Sequence, residues 1–234
     1  RSGAPCLGVF PYADDLRVDA EDSLALERRP RSPAPPGASI AIVEFPRLSN
    51  GTDLRLLQWA DWVAAPRERA YDFVILPGSK DTLSDLAWMR DRSLDRWVCD
   101  LYRQGATVIG ICGGFHMMGE RIHGADGVES MTGTATGLGL LPVQTVLAVE
   151  KTTRVRRATI GGDVSFSAYE IHLGRTTSAQ ALPSFARLDD GTSEGVRTNR
   201  LIGTYLHGAL EDPRVCSELF GIGVEPGLSK EDEH

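Results

Sequence analysis

Residues 107–119 read Thr-Val-Ile-Gly-Ile-Cys-Gly-Gly-Phe-His-Met-Met-Gly, and they restrict the fold more than any other stretch of the chain. A β-branched run ends in Gly110-Ile111-Cys112-Gly113-Gly114, and a segment able to form a helix follows. A strand that passes through a cysteine into a helix sets that residue on a sharp elbow at the carboxyl edge of a parallel sheet. Gly110 and Gly114 remove Cβ atoms where such a turn crosses neighbouring strands. Gly113 offers a backbone N–H that can point at an oxyanion. The thiol stands at a helix N-terminus, whose dipole favours a thiolate. A buried cysteine in a glycine-rich turn is the plainer alternative, and a nucleophile the sharper one.

The flanking sequence supplies a sheet for this elbow. Residues 39–45 (SIAIVEF) and 72–76 (DFVIL) are short apolar runs like 107–111. Between the last two, residues 82–103 carry Leu83, Leu86, Ala87, Leu94, Trp97, Val98 and Leu101 at helical spacing. Strand, helix, strand implies a parallel pair with a crossover, hence an α/β sheet. Residues 53–63 read as a weaker helix. Beyond them, residues 124–139 hold five glycines and read as loop. Shorter strands are expected over 143–149, 164–171, 185–188, 195–197 and 201–206, with a final helix over 213–221.

The N-terminal part is different. Residues 28–38 contain four prolines in eleven positions, which suits a linker and neither a helix nor a central strand. It separates a head, 1–27, too small to fold alone and expected to be the tail of a larger upstream domain. The expected catalytic unit is 39–224, followed by a polar, truncated tail over 225–234.

Net charge is −7, which disfavours a phosphate backbone as partner. No apolar run approaches the roughly 20 residues that span a bilayer, and the N-terminus has no signal-peptide core, so a cytoplasmic protein is expected. The four cysteines, Cys6, Cys99, Cys112 and Cys216, form no C-x-x-C pair. Nor do the histidines show metal-ligand spacing; His116 and His123 would stand about two helical turns apart. No metal site is expected.

A nucleophile needs a base within hydrogen-bond reach. His207 follows the run 201–206 directly, and His172 follows 164–171; spacing alone does not choose between them. Pro77-Gly78-Ser79-Lys80-Asp81-Thr82 also leaves a strand and opens a helix. It lacks the spacing of a phosphate loop. Its place at the same sheet edge suits a second oxyanion donor near Gly78 and Ser79.

Taken together, residues 73–82 (FVILPGSKDT), the Cys112 elbow, 137–153 (GLGLLPVQTVLAVEKTT), 169–176 (YEIHLGRT) and 203–208 (GTYLHG) resemble, in content and order, the amidotransferase half of the cobyric acid synthase family. Residues 46–53 (PRLSNGTD) resemble its segment after the first strand, and 7–26 resemble the end of its ATP-dependent synthetase domain. The resemblance implies a class I glutamine amidotransferase fold: a flavodoxin-like, mostly parallel central sheet flanked by helices, with added shorter antiparallel strands. It implies a glutaminase in cobalamin biosynthesis, feeding ammonia to the amidation of the b, d, e and g carboxylates of adenosylcobyrinic acid a,c-diamide. Cys112 matches the family's nucleophile and His207 its base; the oxyanion hole would be Gly78, Ser79 and Gly113. Tyr169, His172 and Arg175 lie in a family motif and are candidates for shaping the substrate pocket. The partners implied are glutamine, the synthetase domain and its corrinoid. No cofactor is expected on this chain, with ATP and Mg²⁺ confined to the synthetase domain.

Two departures stand out. Triad amidotransferases carry a glutamate two residues after the histidine, where this chain has Ala209, so a Cys–His dyad is expected. Glu211 nearby is read as surface. The position four after the nucleophile is commonly glutamine and is His116 here, a possible substrate contact. Competing readings are a related corrinoid or cell-wall amidotransferase, a cysteine hydrolase or peptidase on the same sheet, and a docking module with little catalysis.

Overall fold

The computed structural model describes residues 37–124 and 133–222, apart from the side chains of 149–151. The expected head over 1–27, most of the linker over 28–38, and the tail over 225–234 lie outside the described residues. The first sheet is built from β1 (Ile40–Val43), β2 (Asp61–Val63), β3 (Phe73–Leu76), β4 (Thr107–Ile111), β11 (Val196–Arg197) and β12 (Leu201–Thr204), in the order β11-β12-β4-β3-β1-β2. All neighbours are parallel except β11, which runs against β12.

The inner strands β1, β3, β4 and β12 are largely apolar because both faces are covered. Ala41, Val43, Val74, Leu76 and Val108 pack on α1 (Thr82–Asp91) and α2 (Leu94–Gln104) through Leu83, Leu86, Met89, Leu94, Trp97, Val98 and Leu101. Their alternates, Ile40, Ile42, Ile75, Ile109, Ile111 and Ile202, pack on Leu54, Leu57 and α4 (Pro213–Phe220). The expected stretch 82–103 is thus two helices, broken where Ser93 takes a left-handed conformation. Residues 53–63 are not the expected helix. A 3₁₀ helix covers Gly51–Leu57, and the chain then extends as β2 to pair with β1 at the sheet edge.

The second sheet joins β5 (Arg121–Gly124), β6 (Gly133–Thr136), β7 (Gln144–Ile160), β8 (Val164–Thr177), β9 (Ala186–Leu188), β10 (Ser193–Glu194) and β13 (Leu206–His207). The antiparallel strands expected here form, but β7 and β8 run for 17 and 14 residues, well past the apolar runs that marked them. Beyond those runs the hairpin is held by Ala158, Ile160, Phe166 and Ala168 in the core, by its backbone ladder and by polar cross-strand pairs. Arg156 Nε donates to Glu170 Oε2 at 2.9 Å, and the Thr159 and Ser165 hydroxyls meet at 2.9 Å. The expected run 201–206 is divided at Tyr205: β12 ends in the first sheet, and β13 pairs with Tyr169 and Glu170 of β8 in the second. That crossing sets the 169–172 segment against the ends of β4 and β12.

Candidate active site

Cys112 lies where β4 gives way to α3 (Gly113–Met118), with φ 49° and ψ −107°. This region is unfavourable for a residue with a Cβ and persists only where the surroundings enforce it. Here they do: Cys112 N–H donates to Thr204 O at 2.8 Å, and Cys112 O accepts from His116 N at 3.0 Å. The elbow also presses on β3, since a Cβ on Gly114 would stand 1.9 Å from Leu76 O. The thiol is 7% exposed and donates to Ile171 O at 3.4 Å.

His207 is fully buried, and its Nδ1–H donates to Asp53 Oδ2 at 2.6 Å. The other carboxylate oxygen accepts from Gly208 N at 2.7 Å. The Tyr169 ring stacks on the imidazole, with centroids 5.5 Å apart, and the Tyr169 hydroxyl accepts from Asn50. Nε2, on the far side of the ring, has no hydrogen-bond partner among the described residues. Burial alone would lower the His207 pKa; the Asp53 carboxylate, with help from Cys112, outweighs it and raises the pKa to about 10. The sequence reading expected a Cys–His pair without a carboxylate. Ala209 does leave the usual position empty of one, yet Asp53 supplies it from the 3₁₀ helix after β1. No local pattern marks Asp53, which stands at the end of the 46–53 segment. Glu211 is half-buried and reaches Arg55 at 3.3 Å, so it is not simply surface.

The Gly78–Ser79 loop closes on this pair. A Cβ on Gly78 would come within 3.2 Å of His207 Cε1, and one on Gly113 within 2.9 Å of Ser79 N. The loop is tied to the segment after β1 by Ser49 N→Gly78 O at 3.0 Å and Lys80 N→Arg47 O at 2.8 Å. The Ser79 hydroxyl donates to Asp85 at 2.6 Å. Gly113, the first residue of its helix, has no intrahelical acceptor for its N–H.

The remaining candidates form a layer behind the thiol. His116 is fully enclosed, and its Nε2 meets the Tyr205 hydroxyl at 3.1 Å. That hydroxyl also meets Thr176 at 2.6 Å. Burial and the neighbouring His172 pull His116 down to about 3, which leaves it neutral. His172 stacks on Tyr205 at 4.0 Å and donates from Nδ1 to Gly174 O at 2.8 Å. A cavity of about 700 Å³ opens behind Tyr205, lined among others by Glu170, His172, Arg175 and Glu194, but by neither Cys112 nor His207. Arg175 is exposed on its rim. The structure therefore brings together Cys112, His207, Gly78, Ser79, Gly113 and Tyr169, places His116 and His172 in a layer behind them, and leaves Arg175 exposed. Among the described residues no cluster of three or more His, Cys, Asp or Glu side chains could hold a metal, and no helix is long and apolar enough to cross a membrane.

Residues 39–215 match the family of CobB/CobQ-like glutamine amidotransferase domains. The chain belongs to that family. Within it, a curated relative, the cobyric acid synthase of Desulforudis audaxviator (strain MP104C), is 42% identical in an alignment 229 positions long that covers 90% of this chain and 45% of the relative. The chain thus spans under half the length of that relative. A solved glutamine amidotransferase superposes with a TM-score of 0.60 at 19% identity, over 78% of this chain and 99% of that one. The structure of PurLQS from Thermotoga maritima does so with 0.57 at 14%, over 76% and 92%. These place this CobB/CobQ-like domain in the glutamine amidotransferase fold that its sequence resembles.

Proposed function

We propose that the chain is the glutaminase half of a cobyric acid synthase and that Cys112, His207 and Asp53 carry out its hydrolysis of glutamine. The observation behind this is the buried imidazole: Asp53 fixes its tautomer and leaves Nε2 as the only free ring nitrogen, beside a cysteine on a strained elbow. With the thiol proton on His207, Cys112 attacks the carboxamide carbon. N–H groups at Gly113 and in the Gly78–Ser79 loop face the developing oxyanion; one such donor is typically worth about 3 kcal/mol. His207 Nε2 gives its proton to the departing ammonia and then takes one from the water that frees glutamate from the thioester. Tyr169 holds the imidazole plane by stacking. The likeness to a cobyric acid synthase supports cobalamin biosynthesis as the setting, with glutamine as substrate, a corrinoid a,c-diamide as final acceptor at its b, d, e and g carboxylates, and ATP with Mg²⁺ used by the synthetase domain.

The test is glutamate and ammonia release from glutamine by this chain, alone and with a relative's synthetase domain, beside Cys112→Ser and His207→Ala. Equal yields of glutamate and ammonia, abolished by Cys112→Ser and strongly reduced by His207→Ala, are expected. No release under either condition, or release that survives Cys112→Ser, would sink the reading.

A further inference from the structure

Glu194 is 6% exposed and lies at the seam between the two sheets. Its backbone belongs to β10 in the second sheet, but its side chain reaches the end of β12 in the first. Oε2 accepts from the Thr204 hydroxyl and Oε1 from Tyr205 N, both at 2.7 Å. Thr204 is the residue whose carbonyl holds Cys112 N–H, and its hydroxyl also accepts from Leu206 N at 3.0 Å. His207 follows immediately. One carboxylate thus pins three consecutive residues from which the nucleophile's backbone and the base are both suspended. Among the described residues no cation pairs with it, so hydrogen bonds alone compensate its burial, an arrangement costly to keep for packing alone.

We propose that Glu194 is a positioning residue for the Cys112–His207 pair, holding the 204–206 segment when ionised and releasing it when protonated. The proton would enter at Oε2, the oxygen that faces the Thr204 hydroxyl. That oxygen then donates, and Thr204, which already accepts from Leu206, must turn its own hydrogen elsewhere. The kinetic form of this proposal rests on the glutaminase reading. Burial raises the Glu194 pKa, the bonds from Tyr205 and Thr204 lower it, and the charge of Glu170 raises it, for a net value of about 7. The other groups around the same cavity are Glu170, His172 and Arg175 from β8 and Tyr205 itself. Glu170 is occupied by Arg156; burial lowers His172 and raises Tyr205. His207, held near 10, does not titrate in this window. The acid limb that Glu194 imposes therefore lies near pH 7, with the competent form above it.

The experiment measures, from pH 5.5 to 9, both glutamate release and alkylation of Cys112 by iodoacetamide, in the parent chain, Glu194→Gln and Thr204→Val. Alkylation needs no glutamine, so it reads the proposal even if the chain turns over none; absence of turnover in the parent then counts against the glutaminase reading alone. Glu194→Gln keeps an acceptor for Tyr205 N and mimics the protonated state. It should lower kcat and the alkylation rate on the order of tenfold above pH 7, change KM little, and approach the parent rates below pH 7, so that the variant-to-parent ratio removes the thiol's own ionisation from both readouts. Thr204→Val removes a bond that favours the ionised form and should move the limb to higher pH. A parent-like limb in Glu194→Gln overturns the proposal, as does activity that falls equally at every pH in step with a lower melting temperature.

Discussion

Each oxygen of the Asp53 carboxylate takes one donor, and that division decides what a single substitution does. In Asp53→Asn the amide oxygen stays on Gly208 N–H, so the NH₂ group faces His207 Nδ1. The imidazole then carries its proton on Nε2 and can no longer act as the base. We expect kcat for glutamate release to fall about 10²- to 10⁴-fold with a smaller change in KM; a fall under fivefold would count against Asp53. The same substitution has a signature in stability. A His207 pKa raised to about 10 means that the folded state binds this proton more tightly than the unfolded chain. Its stabilising effect is full below about pH 6.5 and is lost as pH rises through about 10. The variant should lose this pH dependence, and its His207 imidazole signal should titrate well below that of the parent by NMR, since burial then acts without the Asp53 charge. Cys112 was legible because its elbow is written in adjacent residues. Asp53 was not, because its partner lies 154 residues away and the 3₁₀ turn that carries it has no apolar period.

The strand–elbow–helix unit of β4 and α3 depends on close backbone approach at Gly114, where a Cβ would meet Leu76 O at 1.9 Å. A carbonyl within β3 cannot rotate away without breaking the parallel ladder, so Gly114→Ala must shift the elbow or the strand. The expected cost is about 3 kcal/mol, read as a lower urea midpoint with an unchanged slope. A cost under about 1 kcal/mol would show that the elbow has slack. The centre of the parallel sheet was readable from sequence because β1, β3 and β4 are short, largely apolar runs enclosed on both faces. Of the β7–β8 hairpin, 143–149 and 164–171 were readable as strands, but Thr152–Thr159 was not. It pairs residue for residue with Ser165–His172, and its run of Thr and Arg leaves little apolar alternation to detect. Likewise β2 holds only three residues and gains its extended form from pairing with β1.

The two sheets differ in what encloses them, and the site straddles both. Cys112 and Asp53 stand at the edge of the first sheet, buried on both faces. Tyr169 and Ile171, which stack on His207 and accept from the thiol, belong to the hairpin of the second. That hairpin carries Val155 at 86% exposure, and residues 152–157 around it are exposed or half-buried, although Ala158, Ile160, Phe166 and Ala168 anchor its turn end in the core; such an exposed stretch is the kind of region that opens locally before the rest of a protein unfolds. The β13–β8 pairing is only two residues long and does little to stop it. If the hairpin supplies a working wall of the site, activity should fail before the fold does. In a urea titration, glutamate release is expected to be lost at a lower midpoint than the far-UV circular dichroism of the central sheet. Amide hydrogens of residues 169–172 should exchange faster than those of β3 and β4 under the same conditions. Arg156→Ala, which removes the bonds to Glu170 and Asp190, should widen the gap between the two midpoints while leaving the circular dichroism transition nearly in place. Coincident midpoints in both proteins would mean that the hairpin and the central sheet open as one unit, and that the second sheet is as firmly built into the site as the elbow itself.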